Sequence, residues 1–337
     1  MITIGTVGCG YWGPNLIRNF NSLRQCEVKK ICDCDSQRLN QMHSQFPHVD
    51  VTKIYDEIIN DDSIDAIVIA TPVRYHYEMA LKSLNAGKHT FIEKPMASSA
   101  AECRELVDIA EKNKLTLMVG HTFVYSCPVR KIKEIINRGD LGEIQYIASR
   151  RLNLGLFQKD INVAWDLAPH DISIILYIME EMPRSVSCQG KTHGIPNIED
   201  VITMTLNFSN GGFAMIHNSW LDPNKVREMT FVGKDKMLVY NDIELIEKIK
   251  IYDKCVKIPP HYETFGEFQY SYHYGDMYCP YLKQVEPLKV ECQHFLECIE
   301  TGTSPISDGR NGLKVVQILE AATRSLRNGG GSIHTFQ

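Results

Sequence analysis

The first third of the chain repeats one pattern: a short apolar run, a glycine or turn, then a stretch with helical spacing. Ile2–Val7 reads as a strand, followed by Gly8-Cys9-Gly10-Tyr11-Trp12-Gly13 and a helix to Phe20. Val28–Cys32 predicts a second strand and Ser36–Gln45 a helix. Ala66-Ile67-Val68-Ile69-Ala70 is continuously apolar, as in a strand buried on both faces. A helix over Tyr75–Ala86 stops at Gly87; then come strand His89–Ile92, helix Ser98–Asn113 and strand Thr116–Val119. Strands alternating with helices predict an α/β domain with a parallel, doubly wound sheet over residues 1–122.

Beyond that point, over residues 123–337, the pattern changes. A helix near Val129–Arg138 precedes an extended run, Ile144–Leu152, and a helix opening at Asp166. Short β-rich runs follow: Ser185–Ser187, Val201–Phe208, Phe213–Ser219, Met229–Val232 and Met237–Tyr240. Turn pairs such as Asn210-Gly211 favour antiparallel pairing. Pro259–Tyr281 has no clean period and reads as a loop near a site or an interface; helices near Leu288–Glu300 and Gly312–Arg327 close the chain.

At 337 residues, 44% hydrophobic and 23% charged, the chain has the makeup of a globular protein of two domains. A formal net charge of -5 gives no basic field to attract nucleic acid. No run approaches the roughly 20 apolar residues of a membrane span. Met1-Ile2-Thr3-Ile4-Gly5 runs into a strand without the basic flank of a secretory signal. The 11 cysteines are odd in number and include no Cys-x-x-Cys pair, so free thiols in a reducing cytoplasm are expected. No His or Cys spacing supports a metal site.

Gly8-x-Gly10-x-x-Gly13 is weak alone, but here it joins a strand to a helix, and Asp33 ends the next strand. Such a loop turns tightly and lets backbone N–H groups at a helix start face a pyrophosphate. Asp33 can accept hydrogen bonds from a ribose and would repel a 2′-phosphate, which favours NAD over NADP. Arg38 is the residue that could reverse that preference.

Phe91-Ile92-Glu93-Lys94-Pro95 places a lysine at a strand's carboxyl end, where open α/β sheets bind ligands. The proline keeps Lys94 out of helical geometry. Asp166 and His170 are spaced to share one face of a helix. In alcohol oxidation His170 suits the base, Lys94 can stabilise the developing oxyanion, and Asp166 can hold the imidazole or a hydroxyl. Asp166 could instead cap its helix, and His170 could be a structural histidine. His76 either caps a helix start or borders the cofactor, and His121, ending the sixth strand, borders the nicotinamide pocket. Tyr125, Arg151 and Asn153 are candidates for a diphosphate or sugar, or else surface or packing groups; strand alternation sets Arg151 and Asn153 on one face.

These residues resemble the Gfo/Idh/MocA oxidoreductase family along nearly the whole chain. The matches are Gly8-Cys9-Gly10-Tyr11-Trp12-Gly13, Ala70-Thr71-Pro72 with His76, Glu93-Lys94-Pro95, and Asp166 with His170. The resemblance implies an N-terminal Rossmann domain and a C-terminal α/β domain with an open, mostly antiparallel sheet. It further implies a homodimer or homotetramer built through such a sheet, a bound NAD and a sugar-like substrate. On that basis Gly8, Gly10, Tyr11, Trp12, Gly13, Asp33, Thr71, Pro72, His76, Glu93, Lys94 and His121 contact cofactor. Lys94, Tyr125, Arg151, Asn153, Asp166 and His170 meet substrate. Tyr11-Trp12-Gly13-Pro14-Asn15 and Arg151-Leu152-Asn153-Leu154-Gly155 look like the branch that oxidises nucleotide-linked amino sugars at C3. A free-sugar or inositol dehydrogenase, an NAD-dependent glycosidase and a non-catalytic sensor are the other readings.

Overall fold

The structure, a computed structural model, describes residues 1–257 and 271–335. Two compact units divide the chain, Met1–Ser126 with Val285–Glu320, and Cys127–Gln284 with Ala321–Gln337.

In the first unit β1 (Ile2–Val7), α1 (Gly13–Asn21), β2 (Cys26–Cys32), α2 (Ser36–Gln45), β3 (Asp50–Thr52), α3 (Asp56–Ile59) and β4 (Ala66–Ile69) come first. They are followed by α4 (His76–Asn85), β5 (His89–Glu93), α5 (Ala100–Lys112) and β6 (Leu117–Gly120). The strands pair in parallel in the order β3-β2-β1-β4-β5-β6. Chain order reverses between β1 and β4, so their carboxyl ends flank the crevice where doubly wound sheets take ligands. Every residue of β4 and β6 is buried, which is why those segments are uniformly apolar. Local signals set the helix starts: Asp35 caps α2, and Ser99 with Glu102 forms a capping box on α5.

The second half of the chain is not one contiguous domain from residue 123. Helix α8 (Pro287–Thr301) belongs to the first unit, because Phe295 completes an edge-to-face cluster with Phe20 of α1 and Phe91 of β5. Ring centroids lie 5.7–6.2 Å apart, and each such pair adds about 0.5–1.5 kcal/mol beyond burial. Arg18 pairs with Glu286 at 2.5 Å at the same junction.

The second unit holds α6 (Cys127–Asn137), β7 (Ile144–Leu152), α7 (Val163–Met179), β8 (Ser185–Lys191), β9 (Val201–Asn207), β10 (Phe213–Ser219) and β11 (Val226–Gly233). It continues with β12 (Met237–Asn241), β13 (Ile249–Lys257), β14 (Ser271–Tyr278) and β15 (Ile333–His334); α9 (Gly309–Arg327) runs across the division. Among the described residues the sheet order is β14-β13-β12-β11-β7-β10-β9-β8-β15, antiparallel apart from the β10–β7 pair. Gly211 turns β9 into β10 with φ +85, a backbone conformation that suits glycine.

Two expectations change. α7 begins at Val163, not Asp166, since Asn162 is the cap and its side chain accepts from the Trp165 N–H. Of the loop expected over Pro259–Tyr281, residues 259–270 lie outside the described residues, while Ser271–Tyr278 is a strand. Tyr272 and Tyr274 alternate there, and aromatic side chains favour a pleated surface. β3 and α3 had no recognisable pattern; β3 is three residues long and half polar in character.

Candidate active site

In the first unit the glycine loop leaves β1 with Gly8 at φ +98. A Cβ on Gly8 would stand 2.5 Å from the Ala70 carbonyl oxygen, and one on Gly13 1.9 Å from the Gly8 oxygen. Both positions therefore require glycine. At Gly10 the nearest atom is Arg38 Nη1, 3.9 Å away, so the loop is open on that side. A tight turn with one open glycine at a helix start fits the pyrophosphate of a dinucleotide.

Asp33 is buried directly after β2. Its Oδ2 accepts from the Cys9 N–H at 2.6 Å and its Oδ1 from the Asp35 N–H at 2.8 Å. These bonds anchor the glycine loop to the end of β2 and leave acceptor capacity for a ribose. Arg38 lies between acids, 4.0 Å from Asp33 and 3.6 Å from Asp35.

At the exit of β4, His76 is buried and reaches two carbonyl oxygens, Pro95 from Nδ1 at 2.8 Å and Thr71 from Nε2 at 2.7 Å. Two carbonyl acceptors would call for a doubly protonated ring, but burial pushes the His76 pKa down. Burial governs: the neutral ring donates to one carbonyl and abuts the other. Either way it ties the Thr71-Pro72 turn to the Lys94-Pro95 turn. It is not a helix cap by side chain.

Lys94 follows β5 directly. Beside it, the Glu93 carboxyl accepts from the Lys94 N–H at 3.2 Å and from the Trp12 indole. Burial pushes the Glu93 pKa up to about 7 against the opposing charge of Lys94. Gly120 stands opposite on β6, where a Cβ would meet Glu93 Oε1 at 2.9 Å. His121 comes next, buried and pushed down to about 3 by burial and then by Lys94. Among the described residues neither His121 ring nitrogen nor Glu93 Oε1 meets a hydrogen-bond partner. Buried polar atoms of this kind suit the polar nicotinamide end of a dinucleotide. Tyr11 projects outward and is exposed.

Glu291 of α8 was not anticipated. It is fully buried and accepts from the Thr122 hydroxyl at 2.7 Å, and burial, then Glu93, raises its pKa well above the ordinary value. Its signal was an acid on the apolar face formed by Leu288, Cys292 and Phe295. Tyr125 is buried as well, its hydroxyl 2.9 Å from Ser307 Oγ and its ring 5.4 Å from that of His294. It packs within its own unit rather than offering its hydroxyl to a substrate.

In the second unit Asp166 and His170 lie one turn apart on α7, each half-buried. Asp166 Oδ2 accepts from the Trp220 indole N–H at 3.1 Å. The neighbouring Asp171 is buried and engages Arg151 through Nε at 3.1 Å and Nη2 at 3.0 Å, and accepts from Asn218 at 3.0 Å. Arg151 is therefore neither an open fork for a diphosphate nor a solvent-facing group. Asn153 lies beyond the end of β7, its N–H on the Ser219 carbonyl at 3.2 Å, so strand alternation does not pair it with Arg151.

Within the first unit, Gly8, Gly10, Gly13, Asp33, Thr71, Pro72, His76, Glu93, Lys94 and His121 all gather at the carboxyl ends of β1, β2, β4, β5 and β6. Among the described residues no cluster of three or more His, Cys, Asp or Glu could hold a metal ion, and no helix is long and apolar enough to cross a membrane.

Residues 2–121 match the family model described as the oxidoreductase family, NAD-binding Rossmann fold, of Gfo/Idh/MocA proteins. Residues 129–239 match the Gfo/Idh/MocA C-terminal domain. The uncharacterized oxidoreductase YrbE of Bacillus subtilis is 27% identical over 340 residues, covering 97% of this chain and 95% of that protein. An uncharacterized oxidoreductase of Streptococcus pneumoniae is 28% identical over 232 residues, and that match spans 64% of this chain but 62% of the relative's length. The solved structure of UDP-N-acetylglucosamine 3-dehydrogenase GnnA from Acidithiobacillus ferrooxidans has a TM-score of 0.80 at 20% identity, covering 97% of this chain and 98% of its own. At that identity the likeness is one of fold.

Proposed function

From the premise that this chain belongs to the Gfo/Idh/MocA oxidoreductase family, with an NAD-binding Rossmann domain, we propose that it oxidises, or reduces at, a secondary hydroxyl carbon of a sugar. The proposed substrate is a nucleotide-linked amino sugar, reacting at C3. The observation that carries the reading is the α7 pair: a carboxylate held by an indole, one turn before an imidazole.

NAD, when bound, supplies the hydride acceptor. Gly8, Gly10 and Gly13 would present backbone to its pyrophosphate, Asp33 would accept from its ribose, and Glu93 and His121 would meet the nicotinamide end. His170 takes the hydroxyl proton, a role open to a neutral imidazole nitrogen. Lys94 donates to the reacting oxygen and stabilises the charge that develops there. Asp166 orients the imidazole or a neighbouring hydroxyl.

The nucleotide-sugar assignment draws on the Tyr11–Asn15 and Arg151–Gly155 segments and on the name of the GnnA relative. It no longer draws on Arg151 as an anion ligand. A homodimer or homotetramer belongs to the same proposal, and size-exclusion chromatography with light scattering tests it. The activity is tested by offering UDP-, dTDP- and GDP-sugars and free sugars with NAD, and following NADH absorbance and product mass. NADH formation with a UDP-amino sugar is expected; equal rates with free glucose or inositol would reject the nucleotide requirement.

A further inference from the structure

We propose that Trp220 is a positioning residue for the Asp166 carboxylate, fixing it through the indole N–H while two chain segments, 155–157 and 193–200, hold the tryptophan. The proposal rests on the reading above, in which Asp166 and His170 serve the chemical step.

Trp220 follows β10 directly and is 1% exposed. Its backbone is held on both sides: its N–H donates to the Asp200 carbonyl at 2.9 Å, and its own carbonyl accepts from the Gly155 N–H at 3.0 Å. Asp200 is itself fully buried, and its carboxylate accepts from the His193 and Gly194 N–H groups at 2.6 and 2.7 Å. The loop that accepts from the Trp220 N–H is thus tied internally. The Phe157 ring lies 5.5 Å from the indole. A Cβ at Gly155 would come within 2.8 Å of indole Cδ1, so residue 155 gives room to the ring.

With backbone and ring so constrained, the direction of Nε1–H is set by the fold. It points to Asp166 Oδ2, at 3.1 Å. A buried indole N–H needs an acceptor, and many would serve; here the acceptor is the acid one turn from His170. An aspartate side chain must lose rotamer freedom before it can orient a partner. A donor to its charged form removes that freedom in advance.

Trp220→Phe keeps a buried ring and removes the N–H. With NAD and UDP-N-acetylglucosamine as probes, it should lower kcat about ten-fold, as loss of a bond to a charged group does, with the KM for NAD unchanged. In an Asp166→Asn background the same change should alter kcat less than about two-fold, because the two residues act as one. An equal loss from Trp220→Phe in both backgrounds would overturn the proposal.

NMR of the tryptophan side-chain N–H groups reads the contact without activity. The signal that disappears in Trp220→Phe should move in Asp166→Asn, and an unmoved signal would overturn the proposal. A wild-type protein that oxidises no sugar while this signal still moves would count against the dehydrogenase reading and leave the contact standing.

Discussion

Arg151 and Asp171 form a buried ion pair, Nη2 to Oδ1 at 3.0 Å, joining β7 to α7 immediately beside His170. Removing one partner leaves an uncompensated buried charge, which costs about 3–5 kcal/mol. Arg151→Met should therefore lower the midpoint of chemical denaturation strongly. A variant of unchanged stability with a raised KM for UDP-sugars alone would return Arg151 to the role of an anion ligand.

Asp33 sets a second expectation. Its carboxylate braces the Cys9 N–H and repels a 2′-phosphate, while Arg38 is engaged by two acids. Calorimetric titration should show NAD binding at least about ten-fold tighter than NADP. Tighter NADP binding, abolished by Arg38→Ala, would assign the phosphate to Arg38.

How much of this could be read from sequence depended on where each cause lies along the chain. β4 announces itself because burial on both faces makes Ala66–Ile69 uniformly apolar. α7 is buried on nearly every side, so periodicity marks its start poorly; only the Asn162 cap does so. The i, i+4 spacing of Asp166 and His170 is local and was legible. The partners that decide the other residues are not local: Ser307 for Tyr125, Asp171 for Arg151, Trp220 for Asp166. Alternation tells that Arg151 has a face, and not which side of the sheet α7 covers. The return of α8 to the first unit is likewise a matter of packing, through Phe295.

Glu93 gives a pH dependence. Burial lifts its pKa from 4.5 to about 7, so below 4.5 folded and unfolded chains are both protonated and the contribution is at its full value. As pH rises from 4.5 to about 7 the unfolded chain releases a proton that the folded one keeps, and about 3 kcal/mol of stability is lost. Glu291, raised by burial and by Glu93, acts with the same sign. Measured without NAD, Glu93→Gln should gain stability relative to wild type across that interval. Parallel stability profiles would show that Glu93 is ionised in the folded protein throughout.

The chemical step makes its own demand. Lys94→Ala and His170→Ala should each lower kcat by about 10²–10⁴-fold. NAD affinity should change little, since the residues proposed to hold its pyrophosphate and ribose are the glycine loop and Asp33. Near-normal turnover in both variants would show that the reacting groups lie elsewhere.

The most direct measurement follows the hydride itself. UDP-N-acetylglucosamine deuterated at C3 is incubated with NAD and the protein, and the nicotinamide product is examined by mass spectrometry. The account predicts deuterium in the reduced nicotinamide ring, in step with a sugar product that has lost two hydrogens. Unlabelled cofactor and a sugar returned with its C3 deuterium intact would contradict it.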